Sequence, residues 1–472
     1  MSDAVIIGAG PAGLAAGYEL SRHGANVVIL EKLEQVGGLS RTTERHELRW
    51  DIGPHRFFTK NAEIRQLWRD VLGQDLLSIT RLTRVFYQSA YFEYPLKIGN
   101  VLSGLGPLAC LGIVASYLSA RSRQALAPID PANFEEWVAL QFGRRLYETF
   151  FRTYTEKVWG IPCTRIASEW AGQRIKGLTL WTALVNAVLK PKAKSIKTLV
   201  DEFLYPRLGA GMLYQRMAQR IEERGGRVIL GREAVEIRRD DGVVRSVVAV
   251  GPGAEREEYE TSFLLSTAPL THLVDGVVPA PPDAVVAASR KLRFRGHISV
   301  NIEISGRAFP DNWVYVHSPE VQLARVADYC NFSEHMGNSG RGRPMTVEYF
   351  SFVDDETWRR SDDELIEIAQ DELVQLGMIS RGQVRTGFVL RSPFAYPTLE
   401  IGHERHLACV KSWLGSLRNL QTIGRAGMFK YNNQDHSILT GLLAARAVLG
   451  LGQYDPWLVN TDAEYHEAGE AR

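Results

Sequence analysis

Three glycines near the amino terminus have the spacing of a phosphate-binding turn. Gly8, Gly10 and Gly13 form the pattern Gly-x-Gly-x-x-Gly, and Glu31 follows 18 positions after the last of them. The first glycine permits a tight turn, the second lets backbone approach a pyrophosphate, and the third lets a helix pack closely on a strand. A carboxylate about 20 residues further on accepts hydrogen bonds from ribose hydroxyls. The spacing predicts a dinucleotide-binding site.

Two later segments could contribute to the same site. The loop directly after Glu31 suits a second phosphate or ribose, although two glycines alone also suit a simple turn; it contains Gly37, Gly38, Leu39 and Ser40. A Gly53-Pro54 step then forces an abrupt loop before His55. A lone histidine is more often structural than catalytic, so His55 stays open between a structural role and a cofactor contact.

The elements around these residues indicate how they are positioned. Residues 5–7 are an apolar run typical of a buried parallel strand, residues 14–23 are predicted as a helix, and residues 27–30 are predicted as a second strand ending at Glu31. The helix would point its amino-terminal N–H groups at the phosphates. Residues 263–269 and 421–427 are predicted as further strands of the same sheet. The pattern predicts an α/β, Rossmann-type domain.

The rest of the chain divides by periodicity. Residues 61–78 are predicted to be helical, residues 84–94 to form a hairpin, and residues 100–200 to be mostly helical, whereas residues 295–350 alternate like an antiparallel sheet. A closing helix is predicted to begin near Asn433. Because a long extended cofactor needs contacts from both chain ends, we expect FAD rather than NAD. We expect a discontinuous FAD-binding domain (1–95, 205–275 and 400–472), a helical insertion domain (96–204) and an antiparallel β-sheet substrate domain (276–399).

Composition limits the class of protein. The 472 residues are 45% apolar and 23% charged with a formal charge of +1, which is typical of a soluble globular protein and gives no electrostatic case for nucleic acid. The four cysteines have no metal or redox spacing and predict reduced thiols in a cytoplasmic protein. The first predicted strand begins within four residues of the start, which leaves no room for a signal peptide.

One segment without charge needs its own interpretation. Residues 101–118 carry no charged side chain, and Arg121 and Arg123 follow. The length is near the lower limit for a membrane span, but glycines, a proline and serines make the segment only weakly apolar. We expect a buried or groove-lining helix, with contact at a membrane surface as the alternative and no transmembrane span.

Short segments throughout the chain carry a family likeness. The amino-terminal glycines, Gly37-Gly38 and residues 424–427 resemble the FAD-dependent amine oxidase and protoporphyrinogen oxidase superfamily. Within it, the chain resembles the UDP-galactopyranose mutases, particularly the eukaryotic type. The matching segments occur in the family's order and are residues 53–55, 154–160, 169–174, 313–315, 324–326, 396–400 and 433–437.

The resemblance implies a reaction without net redox change. In these mutases N5 of reduced FAD attacks the anomeric carbon of a nucleotide-diphosphate sugar and displaces the nucleoside diphosphate, after which the sugar closes with a different ring size. Such a site must supply positive charge for the diphosphate and hold the reduced flavin under the sugar. NAD(P)H stays an open candidate for the transient reductant, although the chain has no second dinucleotide motif.

The resemblance also assigns residues. Arg174 and Arg325 match the two arginines that clamp the diphosphate, and a guanidinium suits that role because it forms a planar fork and keeps its charge. His55 matches the histidine near flavin N5. The matches to the substrate site are Tyr154, Trp313, Tyr315, Tyr396 and Tyr431. The matches to the flavin site are Gly424, Asn433, Gln434 and Ser437.

The sequence leaves alternatives for the nucleotide of the substrate and for the class of reaction. Tyr94 begins the family's uracil-binding stretch, but Leu96 and Lys97 depart from it, so another nucleotide stays open. The alternative function is that of an FAD-dependent oxidase or dehydrogenase acting on an amine or a lipophilic substrate, because a fold does not fix a function. The uncharged segment 101–118 would suit a lipophilic substrate. The arginines would suit an anionic one.

Overall fold

The computed structural model describes residues 3–94, 98–168, 170, 202–338 and 342–460. Its strands are β1 Ala4–Ile7, β2 Val27–Leu30, β3 Thr42–Arg45, β4 Leu48–Asp51, β5 Leu76–Thr80, β6 Thr83–Tyr87, β7 Ala90–Glu93, β8 Glu202–Pro206, β9 Arg227–Ile229, β10 Glu233–Asp240, β11 Val243–Val250, β12 Arg256–Glu260, β13 Leu264–Ser266, β14 Val277–Val278, β15 Phe294–Ile304, β16 Trp313–Val316, β17 Arg325–Asp328, β18 Arg343–Ser351, β19 Val384–Pro397 and β20 Leu420–Thr422. Its longer helices are Pro11–Arg22, Ala62–Leu72, Ile98–Leu105, Pro107–Leu126, Phe134–Phe142, Thr153–Trp159, Gly211–Glu223, Asp362–Gln375, His403–Leu414 and Gln434–Val448.

A five-stranded parallel sheet forms the centre of the first unit, in the order β20-β13-β1-β2-β9. Every residue of β1 and β2 is buried, as strands covered on both faces require. Alternate residues of β1 point to opposite faces, so Ile6 joins one core with Leu14 and Ile438, while Val5 joins a second core. This arrangement confirms the predicted α/β, Rossmann-type fold.

A seven-stranded sheet forms the second large unit, in the order β19-β15-β18-β17-β16-β6-β7. Its neighbouring strands run antiparallel except β16 and β6, which are parallel. One face packs against the helix Asp362–Gln375 through Ile298, Val300 and Leu365. This unit confirms the predicted antiparallel sheet. It also takes in residues 83–93, which the sequence grouped with 1–95, because β6 pairs with β16 more than 200 residues away.

Two regions differ from the sequence predictions. The helix predicted over residues 61–78 ends at Leu72, because Gly73 adopts a positive φ of 56°, and residues 76–80 form strand β5 against β8. The 14-residue strand β19 and the helix His403–Leu414 were not predicted. Strand β19 pairs with the distant strand β15, a contact that local periodicity does not report. The helix carries Leu407, Val410 and Leu414 at helical spacing, a signal that the sequence prediction missed.

Residues 98–159 are mostly helical, as predicted. The prediction of a buried or groove-lining helix over residues 101–118 is wrong, because the chain bends at Gly106 and the helix Pro107–Leu126 buries only Ile113 and Tyr117. The helices of this region pack around an apolar core. That core contains Phe134, Phe142, Phe150 and Trp159. The predictions for residues 171–201 and for Leu96 and Lys97 lie outside the described residues. In the described part of the chain no single helix is long and apolar enough to cross a membrane; only Gly99–Leu105 and Pro107–Leu126 taken together meet that criterion, and they are bent by 119°.

Candidate active site

One cavity of about 710 Å³ connects the parallel sheet to the seven-stranded sheet. Its wall at one end comes from the loops after β1 and β2, and at the other from β16, β17 and the helices of residues 134–159. Residues from the carboxyl end of the chain also line it. A pocket at the carboxyl ends of parallel strands is the usual ligand site of a doubly wound sheet.

The dinucleotide end combines open backbone donors with a buried acid. The helix Pro11–Arg22 begins after Gly10, which caps it without any side-chain hydrogen bond, so its first N–H groups are available to an anion. Glu31 accepts hydrogen bonds from the N–H groups of Ala9 (2.7 Å) and Leu33 (3.0 Å). Burial raises the pKa of Glu31, against the effect of those two N–H groups. Its carboxylate has further lone pairs for ribose hydroxyls.

The predicted glycines divide between the cavity wall and the packing behind it. Gly10 and Gly38 line the cavity together with Leu39 and Ser40, whereas Gly8, Gly13 and Gly37 do not. Gly8 has φ of +93° and Gly37 has φ of +107°, conformations that favour glycine. A β-carbon on Gly13 would lie 1.9 Å from the carbonyl oxygen of Gly8, so only glycine allows this close helix–strand contact.

The carboxyl-terminal segment reaches the same cavity. Gly424, Asn433, Gln434 and Ser437 all line it, and Asn433 begins the helix Gln434–Val448. Tyr214 donates a hydrogen bond from its hydroxyl to Gln434 Oε1 (2.5 Å), which fixes that amide. Two helix amino termini, which offer donors, and a buried carboxylate, which offers acceptors, lie along one cavity, and this combination fits FAD.

The substrate end is built on a row of residues across three strands. Tyr315, Arg325 and Glu348 are direct neighbours in the register of β16, β17 and β18. Because side chains alternate along a strand, Trp313 and Tyr315 line the cavity while Val314 lies in the opposite core. Trp313 and Tyr315 are thus both brought to the predicted site.

Arg325 is paired with an acid that the sequence did not single out. Its Nε and Nη2 donate to the two oxygens of Glu348, which is wholly buried and also bonds His297 Nε2 (2.8 Å). Burial would raise the pKa of Glu348, but Arg325 and His297 outweigh it and lower that pKa to about 2. Arg325 Nη1 donates to none of the described residues, so it stays available to a ligand.

His55 lies on the loop that passes over this ion pair. A β-carbon on Gly53 would lie 2.1 Å from Glu348 Oε1, so glycine lets the loop approach the carboxylate. His55 lines the cavity, and its buried Nδ1 has no hydrogen-bond partner within the described ranges. Burial, followed by the charge of Arg425, lowers the pKa of His55 to about 3. The imidazole is therefore neutral near pH 7 and retains a nitrogen for a ligand.

The predicted tyrosines gather around the arginine. The Tyr154 ring meets the Tyr315 ring edge-on at 5.5 Å, and the Tyr396 and Tyr431 rings stack at 5.4 Å. The Tyr94 ring lies 5.4 Å from that of Tyr315. Burial raises the pKa of Tyr154 and of Tyr396. Their phenols therefore stay protonated at neutral pH and can donate hydrogen bonds to an anion.

Arg425 is a further cavity cation, beside the tyrosines, that sequence reasoning missed. Its guanidinium lies 5.1 Å from the centre of the Tyr396 ring and 4.9 Å from that of Tyr431, and it donates to the carbonyls of Asn432 and Ala395. The sequence signal that could have identified Arg425 is its position directly after Gly424, in the glycine turn of residues 424–427. The basic residues lining the cavity are Lys32, Arg41, Arg56, Arg325, Arg391 and Arg425, and the acidic ones are Glu31 and Asp435.

Three further sequence predictions concern Arg174, metal binding and the cysteines. Arg174 lies outside the described residues. Within the described ranges, no group of three histidine, cysteine, aspartate or glutamate side chains could hold a metal ion. The four cysteines form no disulfide.

Known proteins resemble this chain in sequence and in fold. A probable UDP-galactopyranose mutase of Klebsiella pneumoniae is 24% identical over 169 residues, which cover 35% of this chain and 43% of that protein. The chain thus matches less than half the length of the curated relatives it resembles. The crystal structure of a reduced UDP-galactopyranose mutase superposes with a TM-score of 0.84 at 23% identity, covering 98% of this chain and 99% of that one.

An amine oxidase shares the fold more distantly. Cyclohexylamine oxidase of Brevibacterium oxydans has a TM-score of 0.64 at 14% identity, over 95% of this chain and 99% of that one. At these identities the structural matches show the fold alone. The family model for flavin-containing amine oxidoreductases, however, matches residues 11–449. Since that match extends over most of the sequence, this chain belongs to the flavin-containing amine oxidoreductase family.

Proposed function

We propose that this chain, with reduced FAD bound, isomerises a nucleotide-diphosphate sugar as a pyranose–furanose mutase. The observation that carries the proposal is the substrate end of the cavity. There Arg325 keeps Nη1 available and protonated tyrosines surround it. Over the described wall of the whole cavity, basic residues also outnumber acidic ones. Such a wall suits an anionic ligand better than an amine.

The cations and phenols would hold the diphosphate. Arg325 would donate from Nη1, and the hydroxyls of Tyr154 and Tyr396 would donate to phosphate oxygens. Glu348 holds the Arg325 fork in one orientation, because it binds Nε and Nη2 together. By resemblance, Arg174 would supply the second guanidinium. These donors would stabilise the charge that develops on the departing diphosphate.

The remaining residues would position the sugar and the cofactor. Bound reduced FAD would supply the nucleophilic nitrogen for the anomeric carbon. Trp313 and Tyr315 would pack against the sugar, because both line the cavity beside the arginine. His55 would offer a neutral nitrogen near the flavin site, since it is not protonated at neutral pH.

The proposal is tested by chromatography of nucleotide sugars after incubation with dithionite-reduced protein. We expect UDP-galactose, or another nucleotide-diphosphate sugar, to give a second isomer. Arg325→Met should reduce kcat/KM by at least about 100-fold, because it removes a charged donor to the transition state. Arg385→Met is the matched control, since Arg385 is half-exposed and pairs with Glu303 elsewhere.

The same experiment can also contradict the proposal. If no nucleotide sugar isomerises and none perturbs the flavin spectrum, the mutase function is wrong. The second candidate is an amine oxidase, which the aromatic rings around the cavity favour. Release of hydrogen peroxide from oxidised protein with a primary amine, unaffected by Arg325→Met, would support that function instead.

A further inference from the structure

The helix Pro107–Leu126 has one face in the protein and one face in solvent. Its inward side buries Ile113 and Tyr117. On its outward side Leu108, Leu111 and Leu118 have exposed fractions of 82%, 65% and 53%. Positions 108, 111, 115 and 118 repeat with helical spacing, so these side chains and Ala115 form one stripe. A stripe of exposed leucines is unusual on a protein surface and marks an interaction site.

The charge around this stripe is one-sided. Residues 98–129 contain no aspartate or glutamate. Arg121 and Arg123 are exposed at the carboxyl end of the helix. Arg145 is exposed too, and its guanidinium lies beside Gly112 on the same helix. None of these three arginines forms an ion pair with a described residue, so within that part of the chain no acid offsets their charge.

From these two features we propose that the outward face of Pro107–Leu126 docks on the surface of an anionic lipid bilayer. A helix with exposed leucines and flanking arginines lies in the plane of a membrane interface, with its apolar face in the acyl boundary and its cations at anionic headgroups. A second copy of this chain fits less well, because its identical face would set Arg121, Arg123 and Arg145 against the same three arginines.

The connection to the preceding helix supports this orientation. Gly106 adopts φ of +81° and Pro107 begins the long helix, so the two helices meet at 119°. Leu108 follows directly after this bend and is almost fully exposed. A bent pair would rest on one leaflet with its corner inserted. This inference does not depend on which reaction the cavity performs.

Vesicle co-sedimentation of the flavin-loaded protein tests the proposal. We expect the protein to bind vesicles of phosphatidylcholine mixed with phosphatidylglycerol, to bind vesicles of phosphatidylcholine alone more weakly, and to be released by salt. Leu108→Ser/Leu111→Ser should lower the partition coefficient by about tenfold or more, because the lost apolar groups no longer enter the bilayer. Arg121→Gln/Arg123→Gln should lower it by about fivefold per arginine.

Matched variants distinguish binding through this face from non-specific binding to vesicles. Leu451→Ser removes an exposed leucine elsewhere, and Arg290→Gln/Lys291→Gln removes two exposed cations elsewhere. Both should bind like the unsubstituted protein. Circular dichroism and the flavin spectrum of each variant report whether it is folded.

Three outcomes would overturn the proposal. One is failure of the folded protein to bind phosphatidylglycerol vesicles. Another is equal binding by the Leu108→Ser/Leu111→Ser variant. The third is a dimer in analytical ultracentrifugation that depends on Leu108 without vesicle binding, which would assign the face to a second copy.

Discussion

Arg325 carries a positive charge at the cavity wall, but a buried carboxylate already pairs with it. Both groups leave water when the chain folds, and this desolvation cost is offset only by a bidentate pair with its remaining polar atoms bonded. Glu348 meets that condition by also bonding His297. The pair therefore fixes the direction of the Arg325 fork while it lowers the net charge offered to a ligand.

At this scale we predict that Glu348→Gln destabilises the protein. Removing one partner leaves the Arg325 guanidinium, whose side chain is only 17% exposed, without its counter-charge. The free energy of unfolding in urea should therefore fall by about 3 kcal/mol at pH 7. Glu356→Gln is the control, because Glu356 is exposed and pairs with Arg360 on the surface, where the loss should be below about 1 kcal/mol.

The same pair predicts a dependence on pH. The folded-state pKa of Glu348 is about 2, below the ordinary value of 4.5, so its stabilisation is complete above pH 4.5 and is lost as pH falls towards 2. The stability difference between the unsubstituted protein and Glu348→Gln should therefore shrink in acid. A stability difference that stays constant between about pH 6 and about pH 3 would contradict the ion pair.

At the scale of elements, the turn between β1 and the first helix is held by backbone contacts. Gly8 accommodates a positive φ, and Gly13 brings the helix against the carbonyl of Gly8. The open N–H groups of that helix can meet a pyrophosphate only in this geometry. Here the sequence pattern predicts the local structure well, because the contacts that require glycine are only a few residues apart.

We predict that Gly13→Ala weakens cofactor binding and lowers stability. A methyl group placed 1.9 Å from a carbonyl oxygen must displace the helix, which costs about 1–3 kcal/mol. The flavin content of purified protein and its thermal midpoint measure both effects. Gly382→Ala is the control, because its added β-carbon would meet no atom within 4 Å; an equal loss in the control would contradict the packing argument.

At the scale of the whole molecule, the cavity is assembled from segments that are far apart in sequence. Its wall combines the loops after β1 and β2, the seven-stranded sheet, the helices of residues 134–159 and the start of the carboxyl-terminal helix. A ligand that touches all of these binds only the folded chain. Folding and cofactor binding are therefore coupled.

We predict that removing the flavin lowers the thermal midpoint and that added FAD restores it. At a free concentration of FAD about 1,000 times Kd, the gain in free energy of unfolding is about 4 kcal/mol. NAD⁺ at the same concentration should give little or no gain, because it lacks the flavin that would contact the carboxyl-terminal segment. Equal stabilisation by both would contradict the FAD assignment, and differential scanning fluorimetry distinguishes the outcomes.

The sequence by itself determined the features that arise from local spacing. The glycine pattern with Glu31 predicted the strand, turn and helix, and alternation predicted the antiparallel sheet. The matching segments indicated the tyrosines, His55 and Arg325, which the structure places around one cavity, while Arg174 stays a prediction from resemblance. These signals are readable because each depends on residues that are close in the chain or on one short motif.

The tertiary structure alone decided which distant residues meet. The pairing of Arg325 with Glu348 follows from the register of β17 and β18, and the pairing of β6 with β16 joins segments more than 200 residues apart. Neither leaves a periodic signal, because register is set by burial of whole sheet faces. The structure also decided that the leucine stripe is exposed, because only tertiary packing determines which face of a helix is covered.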